Sequence, residues 1–480
     1  MRGVFSPVSS RYSKSHCIGV MRIVGTKMYR LEFVFFILLV SGFLFAFEAP
    51  FSRPNVNDYP LYGSKTTFWN AYKHFSSFYK VGPKHAEREN EPSMFFYFGR
   101  HSIRYPSKKQ ITWMSSQLPE LIKEILAAHE AGRGSLSWDQ IDRLQKWRPR
   151  MIEKKAKLVS KSGELESSQI AKMYFEAFPG LLNASKVELK VGITDKKRTR
   201  QTAESFLAGL KEMQGGFNTS VEDRKSLYLY RLCKKELLKT EKHRIKPKGQ
   251  TKELLYSSVN TALMSKLGLD REFSHDDMKL LHLTCAFEVA IYNDSTWCAI
   301  FDEPNLKRME YIHDLHYINK DNGRYYNGNA TCDIFKDLVS TIRSQMDPSR
   351  KSVTKLYFSH SGAMVKLWSA LGVFNEKRPL NGFVSDPNRY LRTSLVDPFN
   401  SHFIVTMFRK NDKYHIVPMA QGYPISIDGC SEPPCSVEKF LQHYEELISR
   451  CIIDHICPIN QREPKNESSD SSSSDDDKEE

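Results

Sequence analysis

The sequence predicts an α/β protein: a sheet with helices on both faces, carrying an inserted and mainly helical cap domain. Three observations lead there. Short apolar segments beginning at Met94, Val187 and Val353 read as strands. Each is followed by a polar cluster and then by a helical pattern. The long stretch between the second and third of these units is helical in character.

Met94-Phe-Phe-Tyr-Phe98 is a continuous apolar run closed by Gly99, as expected for a strand buried on both faces. Ser107 is placed to cap the helix that follows, running through Ile111, Met114 and Leu118 toward Leu126. Val187 to Ile193 alternates apolar and polar residues, the pattern of a half-buried strand, and Gln201 to Leu210 then takes helical spacing. Val353 to Phe358 is a third, less regular strand, followed by a helix from Ala363 to Leu371 that stops near Gly372. The two parts of the α/β domain are thus expected at 48–215 and 348–462, with the cap at 216–347. In open α/β sheets ligands bind outside the carboxyl ends of the strands, so the three polar clusters are candidates for one shared site.

The chain ends carry a different signal. Arg22, Lys27 and Arg30 precede an uncharged apolar run from Phe33 to Phe47. This is the pattern of a signal peptide, with cleavage after Ala46 or Ala49, or of an uncleaved signal anchor within residues 1–47. Met21 and Met28 are alternative starts. Sequons at Asn183, Asn218, Asn293, Asn329 and Asn466 accord with export. Setting Cys17 aside, eight cysteines remain: Cys233, Cys285, Cys298, Cys332, Cys430, Cys435, Cys451 and Cys457. An even number in an exported chain points to disulfides, and Cys430 and Cys435 bracket a Pro-Pro turn. The expected location is the secretory pathway, secreted or in the endoplasmic reticulum lumen, with membrane attachment only if the leader is retained. No cysteine or histidine grouping has zinc spacing, so no metal is expected.

The formal charge is +14, and residues 463–480 carry a net −6, which leaves +20 on the rest. That acidic, serine-rich tail lacks apolar residues and is expected to be disordered. A basic body suits anionic ligands. The bases are scattered and form no nucleic-acid signature, which favours a phosphorylated small molecule over nucleic acid.

The first polar cluster is Arg100-His101-Ser102-Ile103-Arg104-Tyr105-Pro106. Arginine forks match phosphate oxygens in a bidentate way, and a histidine between them is a nucleophile for phosphorus. The second cluster, Thr194 to Arg200, offers Arg198 to the same pocket, although alone it reads as a solvated loop. The third is Ser359-His360-Ser361-Gly362.

With these residues the chain resembles the histidine acid phosphatases, in particular the multiple inositol polyphosphate phosphatase branch. The family motif Arg-His-Gly-x-Arg-x-Pro is matched by Arg100, His101, Arg104 and Pro106. Leu371 to Leu380, Cys285 to Glu288, Trp297-Cys298 and Met309 to Leu315 are similar to the same branch, and the likeness spans about Tyr62 to Cys451. The resemblance implies a histidine-phosphatase-type α/β domain with a helical domain and a cofactor-free phosphomonoesterase. It implies His101 as the nucleophile, with Arg100, Arg104, Arg198 and His360 cradling the phosphoryl group.

Two positions depart from the family. Ser102 replaces the glycine after the nucleophile, which restricts the backbone there. The third cluster lacks the acid of His-Ala-Glu or His-Asp, because Ser361 and Gly362 follow His360. General acid catalysis is worth about 10²–10⁴-fold, so weak turnover of alkyl phosphates is expected, with a phosphate-binding pseudophosphatase as the alternative. His85-Ala86-Glu87 spells the branch motif but precedes the nucleophile, and reads as a coincidence of loop residues.

Overall fold

The computed structural model describes residues 59–81, 92–229, 250–320, 324–374 and 386–456. The apolar leader, Cys17, His85-Ala86-Glu87, Cys233, Cys457, Asn466 and the acidic tail lie outside them.

The strands are β1 (Met94–Arg100), β2 (Glu188–Ile193), β3 (Val221–Asp223), β4 (Val353–Ser359), β5 (His402–Lys410), β6 (Lys413–Ala420), β7 (Tyr423–Pro424) and β8 (Cys435–Ser436). They form one sheet in the order β3-β2-β4-β1-β5-β6-β7, with β8 beside β6. The first four strands run parallel, and β5 pairs with β1 in the opposite sense. The apolar run of β1 is buried at every residue, as its composition requires at the centre of a sheet. β2 is half-buried only in its first three residues, because its last three lie between β4 and β3. The stretch expected to form the helical cap opens on β3.

Side-chain alternation divides the sheet's apolar residues between two faces. Phe96 and Phe98 join one cluster with Tyr357, Val405 and Trp368, whereas Phe95 and Tyr97 join another with Ile193, Phe358 and Ile404. The longer helices are α1 (Phe68–Tyr79), α2 (Lys108–Glu130), α3 (Trp138–Lys146), α4 (Lys161–Ala177), α5 (Lys197–Gln214), α6 (Gln250–Leu267), α7 (His275–Tyr292), α8 (Glu303–Lys320), α9 (Arg324–Gln345), α10 (Ser361–Ala370) and α11 (Val437–Ser449). Helices cover both faces: Ile170, Ala203 and Phe206 of α4 and α5 pack on one, and Leu338, Leu367 and Phe440 of α9, α10 and α11 on the other.

The predicted helix starts follow from local chemistry. Ser107 caps α2 in a capping box with Gln110. α10 ends at Ala370 with Gly372 at φ 75°, a left-handed position that glycine takes without steric cost. α5 begins earlier than Gln201, at Lys197, which puts Arg198 in a first helical turn rather than in a loop. The three-unit reading omits the β5–β6 hairpin. Its two-residue turn, Asn411 and Asp412, has φ of 50° and 59°, the signature of a primed hairpin turn.

Disulfides join Cys285 to Cys298, Cys332 to Cys451 and Cys430 to Cys435. The second ties α9 to the chain just beyond α11.

Candidate active site

Strands β2, β4 and β1 are consecutive neighbours and end side by side, with Arg100 paired to Ser359 and Ile193 to Phe358. The residues that follow each strand therefore emerge at one edge. The three polar clusters, separate in the chain, meet there.

His101 leaves β1 with its ring buried at 1% exposure. Its main-chain N–H donates to Ser359 O at 3.0 Å, and its Nδ1 lies 2.9 Å from Ser102 O. A carbonyl only accepts, so Nδ1 carries the proton and Nε2 keeps a free lone pair. The His360 ring centroid is 5.6 Å away, and His360 Nε2 contacts Thr194 Oγ1 at 2.9 Å. Burial pushes the His101 pKa well below the ordinary histidine value, and the charges of Arg198, Arg100, His360 and Arg104 push it further. The other four residues singled out in the sequence are thus gathered around the His101 imidazole.

Arg100 is fully buried. Its Nη1 donates to Ser64 O at 2.8 Å and to Asp397 O at 2.7 Å, and lies 3.7 Å from the Asp397 carboxylate. Its Nε and Nη2 are buried with no hydrogen-bond partner among the described residues. Two buried cationic donors in that state fit the oxygens of an anion. Arg104 is also buried, its Nη1 donating to Tyr105 O at 2.7 Å.

Ser102 does not sit in the glycine position as a mere intrusion. Its hydroxyl donates to Gly163 O at 2.7 Å and accepts from Asn400 Nδ2 at 2.9 Å, and its N–H donates to Thr202 Oγ1 at 3.0 Å. Gly163 lies in the first turn of α4, and a Cβ there would come within 2.3 Å of Ile103 O. The helix can therefore approach the motif loop only because that residue is glycine.

Several of these groups are invisible to sequence reasoning. Gly163, Asn400 and Asp397 carry no motif of their own, and lie more than 60 positions from Arg100. Gly362 is the second residue of α10, adjoining Ser361.

The sequence pattern of the Histidine phosphatase superfamily (branch 2) matches residues 98–418. Multiple inositol polyphosphate phosphatase 1 of Gallus gallus is 21% identical over 384 residues, covering 75% of this chain and 83% of that protein. The fold is similar to the crystal structure of the phytase from D. castellii, at 15% identity and TM-score 0.61, over 79% of this chain and 84% of that one. It is also similar to the Bifidobacterium longum multiple inositol polyphosphate phosphatase in complex with inositol hexasulfate, at 12% identity and TM-score 0.54, over 77% and 93% of the two chains. With two thirds of its length matched by that family pattern, the chain belongs to the histidine phosphatase superfamily, branch 2.

Proposed function

We propose that this protein is a phosphomonoesterase that works through a phosphohistidine on His101 and takes inositol polyphosphates or related monoesters. The observation that carries the reading is the set of charges around His101: Arg198, Arg100, His360 and Arg104, all at one strand-end edge. Nε2, left free by the Nδ1 contact to Ser102 O, attacks phosphorus. The guanidinium groups of Arg100, Arg104 and Arg198, with His360, hold the phosphoryl oxygens and stabilise the charge that develops on them. Water then releases phosphate from His101. A substrate bearing many phosphates suits the basic body, and the similarity to a structure holding inositol hexasulfate supports that class.

A second reading, a binder of phosphorylated ligands without turnover, is favoured by one observation: no carboxylate stands at Ser361 or Gly362. The test is phosphate release from an aryl phosphate and from inositol hexakisphosphate by the purified protein and by His101→Ala. Release that disappears in the variant supports the phosphatase. Binding of inositol hexakisphosphate with no release from either ester supports the binder.

Residues 216–347 beyond β3 are proposed to act as a cap over the pocket; Tyr317 of α8 reaches Ser361 at 2.9 Å, which supports it. Three disulfides and the apolar leader support a lumenal or secreted location. Asn218 is exposed and suited to glycosylation, whereas Asn329 is buried in α9.

A further inference from the structure

The reaction proposed above needs a proton for the leaving oxygen, and the usual donor position is Gly362. Beside it lies a buried polar chain that the mechanism has not used. Ser361, the first residue of α10, follows His360 directly. Its hydroxyl bonds to Asp397 Oδ2, and the same carboxylate oxygen is 3.7 Å from Arg100 Nη1. On the other side Ser361 Oγ meets Tyr317 OH at 2.9 Å. Asp397 is wholly enclosed, while Ser361 retains 8% exposure, so Ser361 is the member of the pair nearer the open side.

We infer that Asp397 and Ser361 form a two-residue proton relay that replaces the missing acid, with Ser361 Oγ as the group that touches the leaving oxygen. This rests on the phosphatase reading. In the first step the His101 Nε2–phosphorus bond forms and the phosphorus–ester oxygen bond breaks. The departing oxygen takes the Ser361 hydroxyl proton as Asp397 gives its own to Ser361 Oγ, leaving a carboxylate beside Arg100. In the second step water attacks phosphorus and the nitrogen–phosphorus bond breaks. The water's proton returns through Ser361 to Asp397, and inorganic phosphate leaves. Serine, too weak an acid alone, serves because the carboxyl behind it supplies the proton.

The relay requires Asp397 to start protonated on Oδ2, its hydrogen bond to Ser361 Oγ then running from the carboxyl to the hydroxyl. Burial raises its pKa, opposed by Arg100 of β1 and by Lys65 from the turn before α1; Ser401 donates to its other oxygen at 3.2 Å, and Tyr317 of α8 faces the site as a neutral phenol. Asp397 also contacts Arg100 through its main-chain carbonyl, so a purely positioning role for the side chain is the competing account.

The two accounts separate by leaving group. An alkoxide depends on a proton and a nitrophenolate far less. The experiment measures kcat/KM of wild type, Ser361→Ala, Ser361→Thr, Asp397→Asn and His101→Ala with p-nitrophenyl phosphate and inositol hexakisphosphate. The relay predicts that Ser361→Ala and Asp397→Asn lose at least about 10-fold more on the inositol ester than on the aryl ester, within the range of about 10²–10⁴ typical of general acids. Ser361→Thr, which keeps the hydroxyl, restores the wild-type ratio. Equal losses on both esters overturn the relay and leave Asp397 positioning Arg100. His101-dependent release from the aryl ester but none from inositol hexakisphosphate in wild type also overturns the relay, and spares the phosphatase. No His101-dependent release from the aryl ester overturns both. Ser361→Ala removes one oxygen only, so it separates the two accounts even if Asp397→Asn fails to fold.

Discussion

Asn400 Nδ2 donates to Ser102 Oγ at 2.9 Å across 298 positions of chain, and its main-chain N–H donates to the carbonyl of His101 at 3.3 Å. One asparagine thus holds both the nucleophile and the residue after it. Asn400 also donates to Glu166 Oε2 at 2.7 Å and accepts from Ser167 Oγ at 3.2 Å, which uses the polar capacity of its side chain. Its φ of 56° is a left-handed conformation that asparagine tolerates better than most residues.

The Ser102 network makes the family glycine an unfavourable replacement here. Ser102→Gly removes the hydroxyl that serves Gly163 O and Asn400, and strands both in a buried site. Equilibrium unfolding in denaturant is expected to show a loss of about 1–3 kcal/mol. Equal or greater stability would mean that the serine hydroxyl contributes nothing.

Gly163→Ala tests the close approach of α4 to the motif loop. The added Cβ meets Ile103 O at 2.3 Å and Ser102 Oγ at 2.9 Å, so the loop has to move. A stability loss of about 1–3 kcal/mol is expected, with a fall in kcat on an aryl phosphate as His101 shifts. Wild-type unfolding and turnover together would contradict this account.

Arg198→Ala should alter the pH dependence of the nucleophile. His101 stays neutral below the ordinary histidine pKa because protonation is disfavoured by burial and then by Arg198, Arg100, His360 and Arg104. Removing the largest of those charges makes protonation easier, so the acid limb of kcat/KM moves to higher pH, and KM rises as a phosphate contact is lost. A limb that stays in place would show that Arg198 does not act on His101.

Stability should fall on both sides of a mildly acidic optimum. Burial raises Glu166 from 4.5 to about 8, so its contribution is complete below 4.5 and is lost as pH rises through 8. Burial lowers His402 and His282 from 6.5 to about 4, so theirs is complete above 6.5 and is lost as pH falls through 4. The shifts are worth on the order of 5 kcal/mol for Glu166 and 3 kcal/mol for each histidine. Unfolding midpoints at pH 5, 6.5 and 8 for wild type and Glu166→Gln check the alkaline side. The variant, which keeps an acceptor for Phe68 N–H, should lose most of the decline between pH 6.5 and 8.

The sequence by itself determined the elements and the chemistry that travel with short patterns. The apolar run at Met94, the cap at Ser107 and the stop at Gly372 depend on neighbours a few residues away, and so does the spacing of Arg100, His101 and Arg104. Their reading as one site followed from a rule about strand ends, and the parallel order β2-β4-β1 satisfies it. Tertiary structure alone decided that Ser102 is built into the site by Gly163 and Asn400, and that Asp397 stands behind Ser361 and Arg100. Those contacts join residues 36 to 298 positions apart. They exist because particular faces of α4, α10 and the segment before β5 are packed together in the core, a choice no local pattern encodes.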